Sequence, residues 1–215
     1  MKKIIAIAVA AVVLAGNTFA LSFGIGGKAI IGKNVAQGET VSNALKEASM
    51  ENLFDFGGSV YANLAILGGL GAQLECNFIN SSINFSTVAS DGTSKAEKYD
   101  TMFVDIAPMV WWNIDLWKLR LGLGAGPNFS ITVNKAGDLL SAKQDDFTTG
   151  LCAGADVKFY ITDHLGIVVS ARYVGEFNKK ENKVGVAGID VAQYPTYETQ
   201  RQTLYGGIGA EFKLF

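Results

Sequence analysis

Alternation with period two runs through most of this chain and limits its fold more than any motif does. In "KLRLGLGAGPNFSITV" one set of alternate positions is Leu119, Leu121, Leu123, Ala125, Pro127, Phe129, Ile131 and Val133. The other set is Lys118, Arg120, Gly122, Gly124, Gly126, Asn128, Ser130 and Thr132. Side chains of a strand alternate across its two faces, so this is a strand with one apolar and one polar side. Eight such segments can be read, at about 21–32, 55–67, 70–85, 99–113, 118–133, 148–161, 164–178 and 199–215, each bounded by Gly, Asn, Asp or a polar loop.

The connections alternate in length. "LGGL" (Leu67–Leu70), "NIDLWK" (Asn113–Lys118) and "TDH" (Thr162–His164) are tight, whereas the intervening loops are long and polar. Inside the first long loop, "TVSNALKEAS" spaces Val41, Ala44, Leu45 and Ala48 as a short helix would, with an irregular loop as the alternative. Short turns at one end and long loops at the other fit a transmembrane barrel of the outer membrane, with both termini on the short-turn, periplasmic side. The expected fold is therefore all-β, an eight-stranded antiparallel up-and-down transmembrane barrel.

The N-terminus is read apart from the fold. "MKK", the apolar "IIAIAVAAVVLAG" and "NTFA" have the form of a secretory signal over residues 1–20, with cleavage expected after Ala20 and a barrel domain over 21–215. Without Lys2 and Lys3 the formal charge falls from −2 to −4. A mildly acidic chain with no basic cluster argues against a nucleic-acid partner. Past the leader there is no run of eighteen apolar residues, hence no helix to span a membrane.

Alternation alone does not say which face meets which solvent. A soluble lipocalin-like binder would turn its apolar face inward around a ligand, and a membrane barrel would turn it outward to lipid. The polar face decides, because it is rich in glycine and has only one or two charges per strand. A water-exposed face would carry more. A narrow barrel interior has little room, which favours glycine between charged residues.

With the polar face inside, the lumen collects Lys28, Arg120, Lys158, Arg172 and Lys213 against Glu75, Asp105, Asp156, Glu176 and Glu211. Five bases and five acids in a space too small for a water channel should form a salt-bridged plug rather than a pore. Trp111, Trp112 and Trp117 flank one tight turn and read as an aromatic girdle at the periplasmic interface.

Other chemistry is weakly represented. His164, the only histidine, falls in a periplasmic turn, away from any outer-leaflet Ser–His–Asp arrangement, so neither an enzyme nor a histidine metal site is expected. "GLGAGP" (Gly122–Pro127) lacks the helix that a nucleotide loop needs. No cofactor is implied. Cys76 falls on the apolar face and Cys152 on the polar one, on strands that are not neighbours, so no disulfide is expected.

The leader, the eight amphipathic segments and the ending "AEFKLF" together resemble the small outer-membrane β-barrel family, which includes OmpX-like, OmpA-transmembrane-domain-like and OmpW-like proteins. The resemblance implies a monomer in outer-membrane lipid, inserted by the barrel-assembly machinery, which reads a C-terminal strand such as the one ending in Phe212, Leu214 and Phe215. It also implies envelope structure, adhesion to a host or surface ligand through the long loops, or OmpW-like uptake of small hydrophobic molecules. The charged lumen counts against uptake. One detail departs from the pattern: Phe215 shares its parity with Lys213 and Glu211, so either the strand bulges near its end or Phe215 points inward.

Overall fold

The computed structural model describes residues 21–35, 39–40, 47–66, 69–88, 94–136, 147–178, 180–183 and 196–214. Residues 1–20, Phe215 and parts of the first long loop lie outside them. Within these limits the chain is built of strands: β1 (Ser22–Asn34), β2 (Glu39–Thr40), β3 (Glu47–Asn52), β4 (Phe54–Ala65), β5 (Leu70–Val88), β6 (Ser94–Leu116), β7 (Leu119–Ala136), β8 (Phe147–Tyr160), β9 (Leu165–Glu176), β10 (Lys180–Lys183), β11 (Thr196–Thr199) and β12 (Gln202–Lys213). Part of the stretch considered for a helix lies outside the described residues. Its two ends are strand, Thr40 in β2 and Glu47–Ser49 in β3.

Each barrel strand is antiparallel to its neighbour, in the order β5-β4-β1-β12-β9-β8-β7-β6, and β5 pairs with β6 to close the ring. Closure leaves no unpaired barrel edge, which a bilayer would not tolerate. Outward residues on β9 run Leu165, Ile167, Val169, Ala171 and Tyr173, all exposed, while Gly166, Val168, Ser170, Arg172 and Val174 are buried. From Leu165 to Tyr173 the strand rises roughly 26 Å, or about 20 Å across a bilayer at the usual tilt.

Beyond that apolar band, β5 and β6 continue as a long hairpin, with Asn80–Val88 paired to Ser94–Met102 and β3 added along β5. β2, β10 and β11 form a second small sheet at the same end. The sequence reading stopped β5 at residue 85 and began β6 at residue 99, because alternation fades there.

At the other end, Leu116 pairs with Leu119 around a two-residue turn in which Trp117 has φ 58°. The last strand keeps its register against β1 through Lys213, and the Leu214 amide donates to the Phe23 carbonyl at 2.8 Å. There is thus no bulge in β12 through Leu214, and Leu214 faces outward.

Candidate functional site

The barrel interior is the site. It is layered, and β6 orders the layers: from the loop end its inward residues run Phe103, Asp105, Ala107, Met109, Trp111 and Asn113. Asp105 belongs to an upper charged layer, Trp111 lines a lower one, and Ala107 and Met109 lie between.

In the lower layer Arg172, from β9, reaches Glu75 through Nε at 3.2 Å and Nη2 at 2.8 Å, and Asp156 through Nη1 at 2.7 Å. Lys28 Nζ lies 3.0 Å from the same Glu75 oxygen. The guanidinium stacks on the Trp111 indole at 4.9 Å. All four charged groups are buried, so each depends on the others for what water would have supplied.

Nearer the short-turn end, Glu211 accepts from Lys158 at 2.6 Å, from the Tyr160 hydroxyl at 2.6 Å and from the Asn63 amide at 2.5 Å. Arg120 pairs with Asp115 at the rim, with Nε–Oδ1 2.5 Å and Nη2–Oδ2 3.1 Å. Lys213 is half-buried, its Nζ 5.9 Å over the Tyr160 ring.

The upper layer is built on Arg201. Its guanidinium donates twice to Asp105, at 2.9 Å each, and to Ser130 Oγ at 3.1 Å. It also bonds the Tyr205 hydroxyl, lies 3.6 Å from Glu176 and stacks on Phe103 at 4.4 Å. Glu176 accepts from Thr148 at 2.9 Å. Between the layers Ile30, Ile79, Ala107, Cys152 and Val174 form an apolar band.

Glycine makes room for these large inward groups. A Cβ on Gly124 would lie 1.6 Å from Trp111 Cε3, one on Gly26 2.4 Å from the Tyr61 ring, and one on Gly154 2.5 Å from Arg172 Cδ. Polar-face glycines thus receive the big side chain of an adjacent strand, as in the Trp111–Gly124 pair.

Of the lumenal set expected from sequence, Lys28, Glu75, Asp156 and Arg172 come together, as do Lys158 and Glu211. Asp105 and Glu176 meet at Arg201, while Arg120 pairs with Asp115, outside that set. Arg201, Asp55 and Asp115 were missed. The first two have the parity of their strands' polar faces, but each sits at the ragged loop-side start of its segment. Trp111 corrects the girdle: it is 1% exposed inside the barrel, whereas Trp112 (57%) and Trp117 (91%) face outward. Adjacent residues of a strand point to opposite sides, so Trp111 and Trp112 cannot share one belt. Cys76 is half-buried on the outer side and Cys152 buried inside.

Besides a register shift between Met102 and Phe103, the wall between β6 and β7 is interrupted at the level of Pro108. Pairing holds from Ile106 with Phe129 and again from Val110 with Ala125, and that register sets Pro108 opposite Pro127. Neither has an N–H to give. The outer sides of both prolines keep their ladders, Pro108 to Leu74 and Pro127 to Leu151. Facing each other, the two prolines spoil one rung instead of two. A shallow apolar groove lies over the break on the outside, lined by Leu64, Leu74, Pro108, Val110, Ala125 and Pro127.

An eight-stranded closed barrel with apolar exterior and charged interior has its counterpart among known proteins. Residues 4–212 match the family described as outer membrane protein beta-barrel domain. The chain belongs to that family. No curated protein sequence is a significant match. Among solved structures it is similar to the outer membrane protein OprG from Pseudomonas aeruginosa, with TM-score 0.70 at 11% identity over 90% of this chain and 95% of that one. It is also similar to the outer membrane protein AlkL in lipid bilayers, with TM-score 0.56 at 11% identity over 90% of each chain. At such identity the likeness establishes the fold. As a member of this family the barrel resides in the outer membrane, with its apolar exterior in lipid.

Proposed function

We propose that this barrel is a closed structural platform of the outer membrane that acts by surface contact through its loop end. The observation carrying this reading is the salt-bridged lower layer, Lys28–Glu75–Arg172–Asp156, backed by Lys158–Glu211 beneath it. An ion crossing the barrel would have to break both. The loop end, by contrast, is built up by the extended β5–β6 hairpin and β3, where binding surfaces on such scaffolds reside. The test replaces Ala89–Thr93 and the strand residues Ser82–Val88 and Ser94–Asp100 with a two-residue turn. Heat-modifiable mobility should remain, while adhesion of expressing cells to abiotic and extracellular-matrix surfaces is lost. Undiminished adhesion would refute the role of this end.

The paired prolines support a second reading, passage of small apolar molecules sideways from the apolar band into lipid. Such a route would leave the lower layer shut. The Pro108/Pro127 replacement considered below separates the two readings.

A further inference from the structure

The glycines of the barrel wall fall into two groups. On the inward face an added Cβ collides: at Gly57 with the Phe78 carbonyl, at Gly32 with the Tyr205 ring and at Gly209 with the Gly27 carbonyl. On the outward face Gly27, Gly58 and Gly206 would meet nothing nearer than 3.6, 3.8 and 3.9 Å, which is ordinary contact. Nothing among the described residues requires these three to lack a side chain, although glycine weakens a strand. They lie on the adjacent strands β1, β4 and β12, with Ala29 opposite Gly58 and Ala210 opposite Gly27. A strand glycine without an internal reason often marks a place where something approaches closely from outside.

The outer wall is recessed there. Gly27 and Ala210 floor a depression of about 450 Å³, and the large exposed side chains of Ile25, Val60, Leu165 and Phe212 stand around it. Its lower rim, Phe212 paired with Leu165, adjoins the tight turn, where the His164 ring stacks on Phe212 at 5.9 Å. The exterior of this barrel lies in lipid, so the depression opens directly onto that interface. Another copy of the barrel is convex and would rest on the rim without reaching the floor. A hydrocarbon chain is narrow and flexible enough to lie in the recess. Lipid tails are as apolar as the wall, so packing alone selects among them. A chain in the recess touches protein on several sides instead of one, and gains the dispersion contacts that the missing side chains leave open.

We propose that this recess is a binding site for one acyl chain of a phospholipid, with Gly27 and Ala210 beneath the chain. The short turns of such barrels face the periplasm, so the lipid belongs to the periplasmic leaflet and its polar end emerges beside the Thr162–His164 turn. The site is independent of the adhesive role. It also lies across the ring from the proline break between β6 and β7.

The experiment takes the full barrel in mild detergent, strips it of lipid, adds palmitoyl-oleoyl-phosphatidylethanolamine and weighs the complexes by native mass spectrometry. The expected result is one tightly retained lipid per barrel. Gly27→Leu with Ala210→Leu fills the floor and should weaken retention at least tenfold. Ala171→Leu, a similar change elsewhere on the outer wall, should leave it intact. Should the double variant fail to assemble, Ala210→Leu alone carries the comparison. Absence of a retained lipid, or retention unchanged by filling the floor, would overturn the proposal. So would a wild-type dimer that filling dissociates, which would assign the recess to a second copy, and so would tighter retention of lipopolysaccharide than of the phospholipid.

Discussion

Arg172→Met removes the one group that holds two carboxylates in the lower layer. Glu75 keeps Lys28 and the Gln73 amide at 2.9 Å, but Asp156 loses the side chain bonded to its Oδ1, and its Oδ2 has no other partner. The layer passes from two positive and two negative groups to one positive and two negative. Breaking a buried pair by deleting one partner costs about 3–5 kcal/mol, because the surviving charge is stranded. Met preserves much of the stem volume over Trp111, so cavity formation adds little. Adding Asp156→Asn to the same protein removes the stranded charge and leaves Lys28–Glu75 balanced, for an expected net cost of about 1–2 kcal/mol.

The measurement is urea unfolding in lipid vesicles, followed by tryptophan fluorescence, since Trp111 lies directly under the guanidinium. The double variant should be more stable than the single by about 2 kcal/mol or more, a coupling expected only of groups in one network. Neither variant should conduct ions in a planar bilayer, because Lys158, Glu211, Tyr160 and Asn63 still cross the lumen below. A double variant no more stable than Arg172→Met, or a steady current from Arg172→Met, would refute the layered plug.

Two further replacements probe packing and the wall. Gly124→Val places a methyl-bearing Cβ where the Trp111 ring stands, and should cost about 3 kcal/mol or block assembly, read as loss of the heat-modifiable band; Trp111→Leu in the same chain should restore it. Pro108→Val with Pro127→Val returns two amide donors to one rung and should raise unfolding stability by about 1–2 kcal/mol. The same double variant should take up small hydrophobic dyes as the parent does if the barrel is a closed platform, and much more slowly if the break is a lateral route.

Much of this architecture is legible in the sequence, for a physical reason. Lipid outside and a narrow polar space inside impose opposite demands on alternate residues, so every barrel strand records the bilayer in its pattern. The record fails where the bilayer ends. β5 and β6 run past residues 85 and 99, and there Ser86–Val88 and Ser94–Lys98 show no apolar alternation in sequence. Arg201 and Asp55 sit at that boundary, which hid two members of the upper layer although their parity was right. The inward set was otherwise readable, but its pairings were not, because Lys28 and Glu75, or Arg172 and Glu75, meet across the barrel and no local spacing encodes that. Pro127 interrupts a strand pattern without an amide donor, but only the register reveals Pro108 opposite it.

Trp117 shows how far the bilayer reaches into local geometry. It opens a two-residue turn with φ 58°, a conformation that favours glycine or asparagine and costs other residues roughly 1–2 kcal/mol. In water nothing would offset that, since the ring is 91% exposed and touches little besides Lys118 Nζ, 5.2 Å away. We propose that at the membrane surface the same exposure is an anchor, because an indole is stabilised among headgroups, with Trp112 also exposed on the outer wall. Trp111, one residue from Trp112, is enclosed between Gly122, Gly124 and Arg172 and takes no part in this. Three tryptophans that look equivalent in sequence therefore face different surroundings, and the proposed interfacial seat of Trp117 accounts for a residue that the turn alone would reject.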